Sequence, residues 1–395
     1  GARPTPEARP MPTRVAVIGA TGSIGAQALE IISRFPDNFQ LAGAVVGSRG
    51  EALEAALEPF PRAQGIVIEP KGQLPKGMQV GVEAACRLAA EEGVDVVLVG
   101  GGGAAALRPT LAACEAGKLV ALATKEVLVM AGELVTATAV SGNARIVPVD
   151  SEHSAIWQCL RGERRESVAR IILTASGGAL RSRPLEELEH VTPEQALAHP
   201  NWRMGPKVTV DAATMINKGL EVIEAHFLFD VPYDRIQVLI HPQSAVHSAV
   251  EFCDGTLVAQ LGVADMRAPI ALALADGLRL PGVVPPLELV QLGRLDFQEV
   301  DLRRYPGLEL VRRAGIRGGA RPAALNAANE VAVTAFLEGR LPYLGITTLL
   351  DRVLADFTPP QGGGLDQILS VDAWARGRAR ELVVELGPAP VATRV

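Results

Sequence analysis

Between Arg14 and Val149, short apolar runs alternate with stretches whose apolar residues recur three and four positions apart. The first run, RVAVIG, passes through Gly19, Gly22 and Gly25 into a stretch that places Ala28, Leu29, Ile31 and Ile32 on one face. This predicts a strand, a tight turn and a helix: an unbroken apolar run suits a strand buried on both faces, and the longer period is that of an amphipathic helix. The rhythm continues through FQLAGAVVGSRG, AQGIVIE, a helix around Val82 to Glu92, VDVVLVGGGG, a helix around Leu107 to Ala116, KLVALATKE, a further helix and ARIVPVD. Alternation of this kind predicts an α/β fold with a parallel, doubly wound, Rossmann-like sheet. Such sheets bind ligands at the carboxyl ends of their strands. The GATGSIG turn falls there, and so do Asp150 and Glu152 after the last strand.

Past residue 160 the pattern changes. VARIILTASGGALRS reads as a strand followed by a Ser-Gly-Gly turn, HPNWRMGPK as an irregular segment, and KVTVDAATMINKGLEVIEAHFLF as a strand leading into a long helix. IQVLIHPQSAVHSAVEFCDGTLVAQLG is broken by Asp254-Gly255, a hairpin signal, so this region is expected to be α+β with a mostly antiparallel sheet. Proline and glycine crowd LADGLRLPGVVPPLELVQLGRLDF and mark a linker, and from Tyr305-Pro306 onward the pattern is helical, predicting a C-terminal bundle. The division expected is a disordered tail at 1–12, a nucleotide-binding domain at 13–149, an α+β domain at 150–275, a linker at 276–303 and a helical domain at 304–395.

Composition narrows the classes of function. The 395 residues are 48% hydrophobic and 21% charged with a net charge of −6, which describes a folded chain without the broad basic field of a nucleic-acid binder. No apolar run reaches the roughly 18 residues of a membrane span, and GARPTPEARPMP lacks the apolar core of a signal peptide, so a cytosolic location is expected. Cys86, Cys114, Cys159 and Cys253 are scattered without CxxC spacing, as befits reduced thiols and not a zinc site.

Candidate chemistry gathers at a few points. The GxxGxxG turn brings backbone amides and the positive end of a helix to where a pyrophosphate would lie. The second strand ends in Gly47, Ser48 and Arg49, with no carboxylate to hold a ribose 2′-hydroxyl and a guanidinium suited to a 2′-phosphate, which selects NADP. Asp150 and Glu152, two apart on an extended chain, point the same way and can seat a cation, or one of Asp150 and Ser151 caps the helix HSAIWQCL. On the later helix, Asn217 and Lys218 lie four and three residues before Glu221 and share its face, as a site or as a solvated ion pair. His241 and His247 are expected to be packed sheet-end residues.

GATGSIG, ATKEVLV, PVDSEHSAIWQ, LTASGG, HPNWRMGPK, DAATMINKGLE, LIHPQSAVHS, QLGVADMR and LNAANE, in this order, resemble the 1-deoxy-D-xylulose 5-phosphate reductoisomerase family. The similarity runs from about Arg14 to about Leu386. It implies an enzyme that uses NADPH and Mg²⁺ or Mn²⁺ to convert 1-deoxy-D-xylulose 5-phosphate into 2-C-methyl-D-erythritol 4-phosphate, in the non-mevalonate route to isoprenoid precursors. It also implies a homodimer.

Carried over by position, the resemblance makes Asp150, Glu152 and Glu221 the metal ligands, with Glu152 also a proton-transfer group. Lys125 joins them as a catalytic and substrate-contacting residue, and Ser151 contacts substrate. The substrate phosphate maps to Ser176, His199, Asn217 and Lys218, and residues 198–207 match a mobile lid in which Trp202 and Met204 cover the substrate. Thr21, Gly22, Ser23, Ile24, Gly47, Ser48 and Arg49 are implied to line the nucleotide, with Thr124, Glu126 and Gly205 also on the cofactor side. Three positions depart from the family pattern: Thr124 replaces a common Asn, Ala212 a common Ser, and Ser48-Arg49 a Lys-Asn pair. A semialdehyde dehydrogenase would need a thiol nucleophile in an electropositive site, and none of the cysteines has that setting. A nucleotide-sensing module would have no need of the carboxylates or phosphate donors.

Overall fold

The computed structural model describes residues 11–202, 204–360 and 364–387. Residues 1–10 of the expected tail and Arg203 of the expected lid lie outside them. In chain order the elements are β1 (Thr13–Ile18), α1 (Ser23–Arg34), β2 (Phe39–Val46), α2 (Gly50–Leu57), β3 (Gln64–Val67), β4 (Gln79–Val80), α3 (Val82–Ala90), β5 (Val96–Val99), α4 (Gly103–Glu115), β6 (Leu119–Leu122), α5 (Glu126–Ser141) and β7 (Arg145–Pro148). There follow α6 (Ser151–Cys159), β8 (Val168–Ala175), α7 (Pro193–Leu197), α8 (Pro206–Thr214), α9 (Ile216–Phe229), β9 (Ile236–Ile240), β10 (Val246–Phe252), β11 (Leu257–Leu261) and α10 (Arg267–Leu274). The last are α11 (Leu289–Leu292), β12 (Gln298–Glu299), α12 (Pro306–Arg317), α13 (Arg321–Leu337), α14 (Tyr343–Asp356) and α15 (Leu365–Leu386).

The chain forms two compact units. One comprises residues up to 123 with 141–147 and 267–283, and the other comprises 124–140, 148–266 and 284 onward.

The first unit is built on the Rossmann-like sheet that the apolar rhythm predicts, in strand order β4-β3-β2-β1-β5-β6-β7. β1 pairs in parallel with both β2 and β5, so the strand order reverses there. Ala28, Leu29, Ile31 and Ile32 are buried, as the helical period of α1 requires. Two glycines of the turn answer to close backbone packing. At Gly19, φ is +87°, and a Cβ would lie 2.6 Å from Gly101 N; at Gly25 it would lie 2.2 Å from Gly19 O. The unit also takes in α10, which the sequence division assigned to the middle domain, and the start of the expected linker. Its buried Ile270, Leu272 and Leu274 explain this, together with Arg267 Nη1 at 3.1 Å from Glu30 Oε1.

The second unit holds a five-stranded mixed sheet in the order β11-β10-β8-β9-β12. β8 and β9 are parallel, whereas β10 is antiparallel to both β8 and β11, and β12 to β9. The Asp254-Gly255 hairpin forms, with Asp254 Oδ1 accepting from Thr256 N at 3.0 Å and Gly255 at φ +85°. Residues 276–303, expected as linker, contain α11 and supply β12 to this sheet. Ile156 of α6, Val222 and Ala225 of α9, Ile171 and Leu173 of β8, Val250 of β10 and Leu308 of α12 share one core, which fixes α6 and α9 relative to each other. The C-terminal helices fall within this unit and not in one of their own. They are tied to it by Tyr305 Oη donating to Gly177 O and Tyr343 Oη to Ala213 O, each at 2.8 Å.

A further expectation fails: the KVTV stretch is helical, within α8. Val208, Thr209 and Val210 are β-formers by propensity. Pro206 at the first helical turn outweighs them, with Thr209 Oγ1 donating to Gly205 O at 2.9 Å and Lys207 pairing with Asp211 one turn on. Met215, in the left-handed region at φ 59°, separates α8 from α9.

Candidate active site

In the first unit, the β1–α1 turn carries Thr21, Gly22, Ser23 and Ile24. Gly22 is the N-cap of α1, and no side chain caps the helix. First-turn amides without a side-chain acceptor are an anion-binding device. Arg49, after β2 and the exposed Gly47, sends Nη2 to 3.4 Å from both Thr21 O and Thr21 Oγ1. Thus the turn and the guanidinium predicted to read the 2′-phosphate are neighbours. A cleft of about 500 Å³ lined in part by Ala20, Thr21, Ala26, Glu30, Arg49 and Ala52 lies alongside.

The second unit gathers the carboxylates. Asp150, two residues beyond β7, is the N-cap of α6, its Oδ1 accepting from Ser151 N at 3.0 Å. Glu152 sits in the first turn of that helix. The two therefore meet through a helix N-terminus and not along an extended chain, and capping accompanies clustering. Glu221 arrives from α9. One oxygen from each of Asp150, Glu152 and Glu221 can be chosen so that all three lie within 4.8 Å of one another.

Two lysines offset this charge. Lys125 Nζ is 2.5 Å from Asp150 Oδ2 and 3.7 Å from Glu221 Oε1; Lys218 Nζ is 2.7 Å from Glu152 Oε1 and also contacts Glu221 Oε2. Asn217 Nδ2 donates to Glu221 Oε1 and Ser151 Oγ to Glu152 Oε2, each at 2.5 Å. The helical spacing of Asn217, Lys218 and Glu221 is thus realised, but as a buried cluster. Burial and the neighbouring Glu152 charge push the Glu221 carboxyl up, whereas at Glu152 burial is outweighed by Lys218 and Ser151, which hold it low. Burial opposes the charge of Lys125, but Asp150 and Glu221 overcome it and raise its pKa. Three converging carboxylates, one of them disfavoured as an anion, form a donor set that a hard divalent cation fits.

Ser176 and His199 also meet. His199 Nδ1 accepts from Asn201 N at 3.2 Å and Trp202 N at 3.0 Å, so its proton lies on Nε2, which donates to Ser176 Oγ at 2.9 Å. Gly178 N donates to the same hydroxyl at 3.1 Å. The Ser176 hydrogen therefore remains for an outside acceptor. Burial, with help from Arg181, lowers the His199 pKa and keeps it neutral. Asn217 and Lys218, the other expected phosphate donors, are engaged by the carboxylates. The Trp202 ring lies 6.1 Å from that of His247, and Met204 is half-buried. Gly205 is the N-cap of α8. Thr124 is buried just ahead of α5. His241 is structural, as expected: Nδ1 donates to Asp296 O at 2.8 Å, and Nε2 accepts from Ala245 N and Val246 N.

Several residues here were not singled out from sequence. His153, fully buried, donates from Nε2 to Glu221 O at 2.9 Å and holds Nδ1 3.2 Å from Glu224 Oε2. Burial pushes the His153 pKa down to about 4 and that of Glu224 well up. Lys207 Nζ lies 2.8 Å from Glu126 Oε1 and 3.0 Å from Asp211 Oδ2, and Asn329 Nδ2 donates to Asp211 Oδ1 at 2.8 Å. The signals were spacings: Glu224 three after Glu221, His153 three after Asp150, and Lys207 four before Asp211.

Comparison with known proteins covers nearly all of the chain. A family model described as 1-deoxy-D-xylulose 5-phosphate reductoisomerase matches residues 15–132, a model of its C-terminal domain matches 146–229, and a DXP reductoisomerase C-terminal domain model matches 261–378. The 1-deoxy-D-xylulose 5-phosphate reductoisomerase of Pelotomaculum thermopropionicum is 46% identical, over 94% of this chain and 99% of that protein. That of Moorella thermoacetica is 48% identical, over 93% and 98%. A solved structure of the enzyme from Zymomonas mobilis in complex with NADPH is 38% identical, with a TM-score of 0.86, over 94% of this chain and 99% of that one. A structure of DOX-P reductoisomerase in complex with NADPH, fosmidomycin and magnesium is 37% identical, with a TM-score of 0.88, over 95% and 100%.

Proposed function

Because the chain belongs to the 1-deoxy-D-xylulose 5-phosphate reductoisomerase family, we propose that Asp150, Glu152 and Glu221 hold the divalent cation of that reaction and that the groups around them hold its substrate. The activity is the NADPH- and metal-dependent conversion of 1-deoxy-D-xylulose 5-phosphate to 2-C-methyl-D-erythritol 4-phosphate, a step toward isoprenoid precursors. The observation that carries the site assignment is the arrival of Glu221, from a helix far along the chain, beside the two carboxylates that open α6.

A bound Mg²⁺ or Mn²⁺ supplies Lewis-acid polarisation of substrate oxygens and NADPH supplies the hydride. Lys125, kept charged by Asp150 and Glu221, orients those carboxylates and offers Nζ–H to oxygens that gain charge during the rearrangement. Glu152 accepts and returns a proton at its carboxylate. Ser176 donates its hydroxyl to the phosphate, with His199 fixing its orientation. Asn217 and Lys218 exchange carboxylate partners for the phosphate when substrate and cation are bound, Lys218 bringing the charge. Ser151 contacts substrate. Residues 198–207 act as the lid, with Trp202 and Met204 excluding water. Thr21, Gly22, Ser23, Ile24, Gly47, Ser48 and Arg49 hold the nucleotide, and Thr124, Glu126 and Gly205 serve its nicotinamide side; Glu126 does so while paired to Lys207.

By function the chain divides into nucleotide-binding residues 13–149, catalytic residues 150–275 and a helical region from 304, joined by 276–303. It works in the cytoplasm as a homodimer. Edge strand β11, paired on one side to β10 and exposing Leu257 and Val258, supports that assembly.

Titration with Mn²⁺ followed by electron paramagnetic resonance tests the metal assignment. Glu221→Gln should weaken Mn²⁺ binding at least about tenfold and nearly abolish turnover, because a neutral amide is a poor ligand for a hard cation. Parent-like Mn²⁺ affinity in the variant would remove Glu221 from the ligand set.

A further inference from the structure

Three charged side chains with no assigned part in binding the cation meet behind Lys125. Glu126 is the first residue of α5 and the immediate neighbour of Lys125. Lys207, on the first turn of α8, reaches across to its Oε1 at 2.8 Å and back to Asp211 Oδ2, on the next turn, at 3.0 Å. Asp211 is almost completely buried and is held from α13 by Asn329 Nδ2. Burial works against the Glu126 anion, but Lys207 and then Lys125 overcome it and keep the carboxyl ionised. Apolar side chains of similar volume often stabilise a fold as well as such a network does, so stability alone does not account for three linked charges, Asp211 buried and Lys207 and Glu126 partly so, at the meeting of three helices. They fix geometry instead.

What they fix is visible in the elements joined. At one end stands the entry to α5, whose preceding residue, Lys125, contacts Asp150 and Glu221. At the other stands α8, whose N-cap Gly205 closes the segment carrying Trp202 and Met204. We infer that Lys207 is a positioning residue for the reaction: by bridging Glu126 and Asp211, it locks the backbone that presents Lys125 to the helix at the end of the Trp202–Gly205 segment. The inference rests on the reading of the carboxylate cluster as the reaction centre. Lys207 touches neither the cation ligands nor Lys125 and acts through Glu126.

The test is a double-mutant cycle in kcat on the full-length enzyme with saturating NADPH, 1-deoxy-D-xylulose 5-phosphate and Mg²⁺. Lys207→Met should lower kcat about 10- to 100-fold, the scale expected when a catalytic group shifts by an ångström, while the KM for NADPH stays within about threefold of the parent. Lys207→Arg, whose fork can span both carboxylates, should recover most of kcat. Glu126→Gln combined with Lys207→Met should be no more than about threefold worse than the poorer single variant, because both remove one bridge. Losses that multiply, or a kcat for Lys207→Met within about twofold of the parent, overturn the inference. Should Lys207→Met not fold, the neutral pair Glu126→Gln/Lys207→Gln takes its place, and a folded pair with parent-like kcat overturns it equally. The parent runs in the same assay. If the parent itself lacks activity, the reaction assignment fails, whereas an active parent with an indifferent Lys207 sinks the positioning role alone.

Discussion

Arg49 and Ala212 are the residues at which this chain's own chemistry is most exposed to test. Arg49 stands where an NAD enzyme would carry a carboxylate, and its guanidinium lies against Thr21 at the mouth of the glycine turn. NADPH should be strongly preferred to NADH. Arg49→Glu should reduce that preference at least about tenfold by repelling the 2′-phosphate, measured as the ratio of kcat/KM for the two cofactors. An unchanged ratio would show that another group reads the phosphate. Ala212 lies on α8 against the Ser-Gly-Gly turn, whose Gly178 has no room for a Cβ because Ala212 O would be 2.7 Å from it. Ala212→Ser adds a hydroxyl at a position where the family pattern commonly carries one. A hydrogen bond to a charged group contributes about 1.5–3 kcal/mol at best, and the roughly 0.5 kcal/mol of lost helix propensity falls on folding and not on binding. The KM for 1-deoxy-D-xylulose 5-phosphate should fall by about tenfold and at most by about a hundredfold with kcat little changed, since the phosphate is held alike in ground and transition states. Isothermal titration with a phosphonate analogue of the substrate should show the same gain, and no gain would mean that a water or neighbouring donor already satisfies that oxygen.

At the level of elements, the site depends on how closely the β8 turn is pressed onto α8. Gly178, at φ +67°, would place a Cβ within 2.8 Å of Ala213 Cα as well as against Ala212 O. Gly178→Ala should therefore cost about 1–3 kcal/mol in backbone strain alone, read by urea denaturation, and should raise the KM for the sugar phosphate by moving Ser176. A variant with parent-like stability and KM would mean that the turn is not held as described. The same elements show what was legible beforehand. The first sheet announced itself because buried parallel strands are unbroken apolar runs and the amphipathic helices between them keep a clear period. Asp150 and Glu152 drew notice for their spacing, although the geometry invoked was an extended chain and the residues meet at a helix start. The KVTV start of α8 was misread as a strand because three β-formers follow Pro206, although Pro206 and the i,i+4 pair of Lys207 with Asp211 favour a helix, which the tertiary partners Glu126 and Asn329 then hold in place. Charges such as Lys207, Asp211 and Glu224 were missed for a related reason. In a sequence they look like a solvated helix face, and their pairing depends on segments far along the chain, Glu126 for Lys207, Asn329 for Asp211 and His153 for Glu224.

For the whole molecule, the activity is that of the family, with the glycine turn in one compact unit and the carboxylate cluster in the other. The resemblance in sequence reached that conclusion by matching motifs across the chain. Physical reading alone reached a nucleotide fold, the Asp150 and Glu152 pair and a separate helical group of Asn217, Lys218 and Glu221, and it could not join the two sets because Glu221 is brought beside Asp150 and Glu152 by the packing of α9 against the second sheet. The most direct test is the oxidation of NADPH by chelator-treated protein given 1-deoxy-D-xylulose 5-phosphate, with and without added Mg²⁺ or Mn²⁺, with the product identified by mass and NMR. NADPH should be consumed only when sugar phosphate and metal are both present, in equal amount to the 2-C-methyl-D-erythritol 4-phosphate formed. Turnover that persists undiminished in excess chelator, or NADPH consumption that yields no branched polyol phosphate, would contradict it.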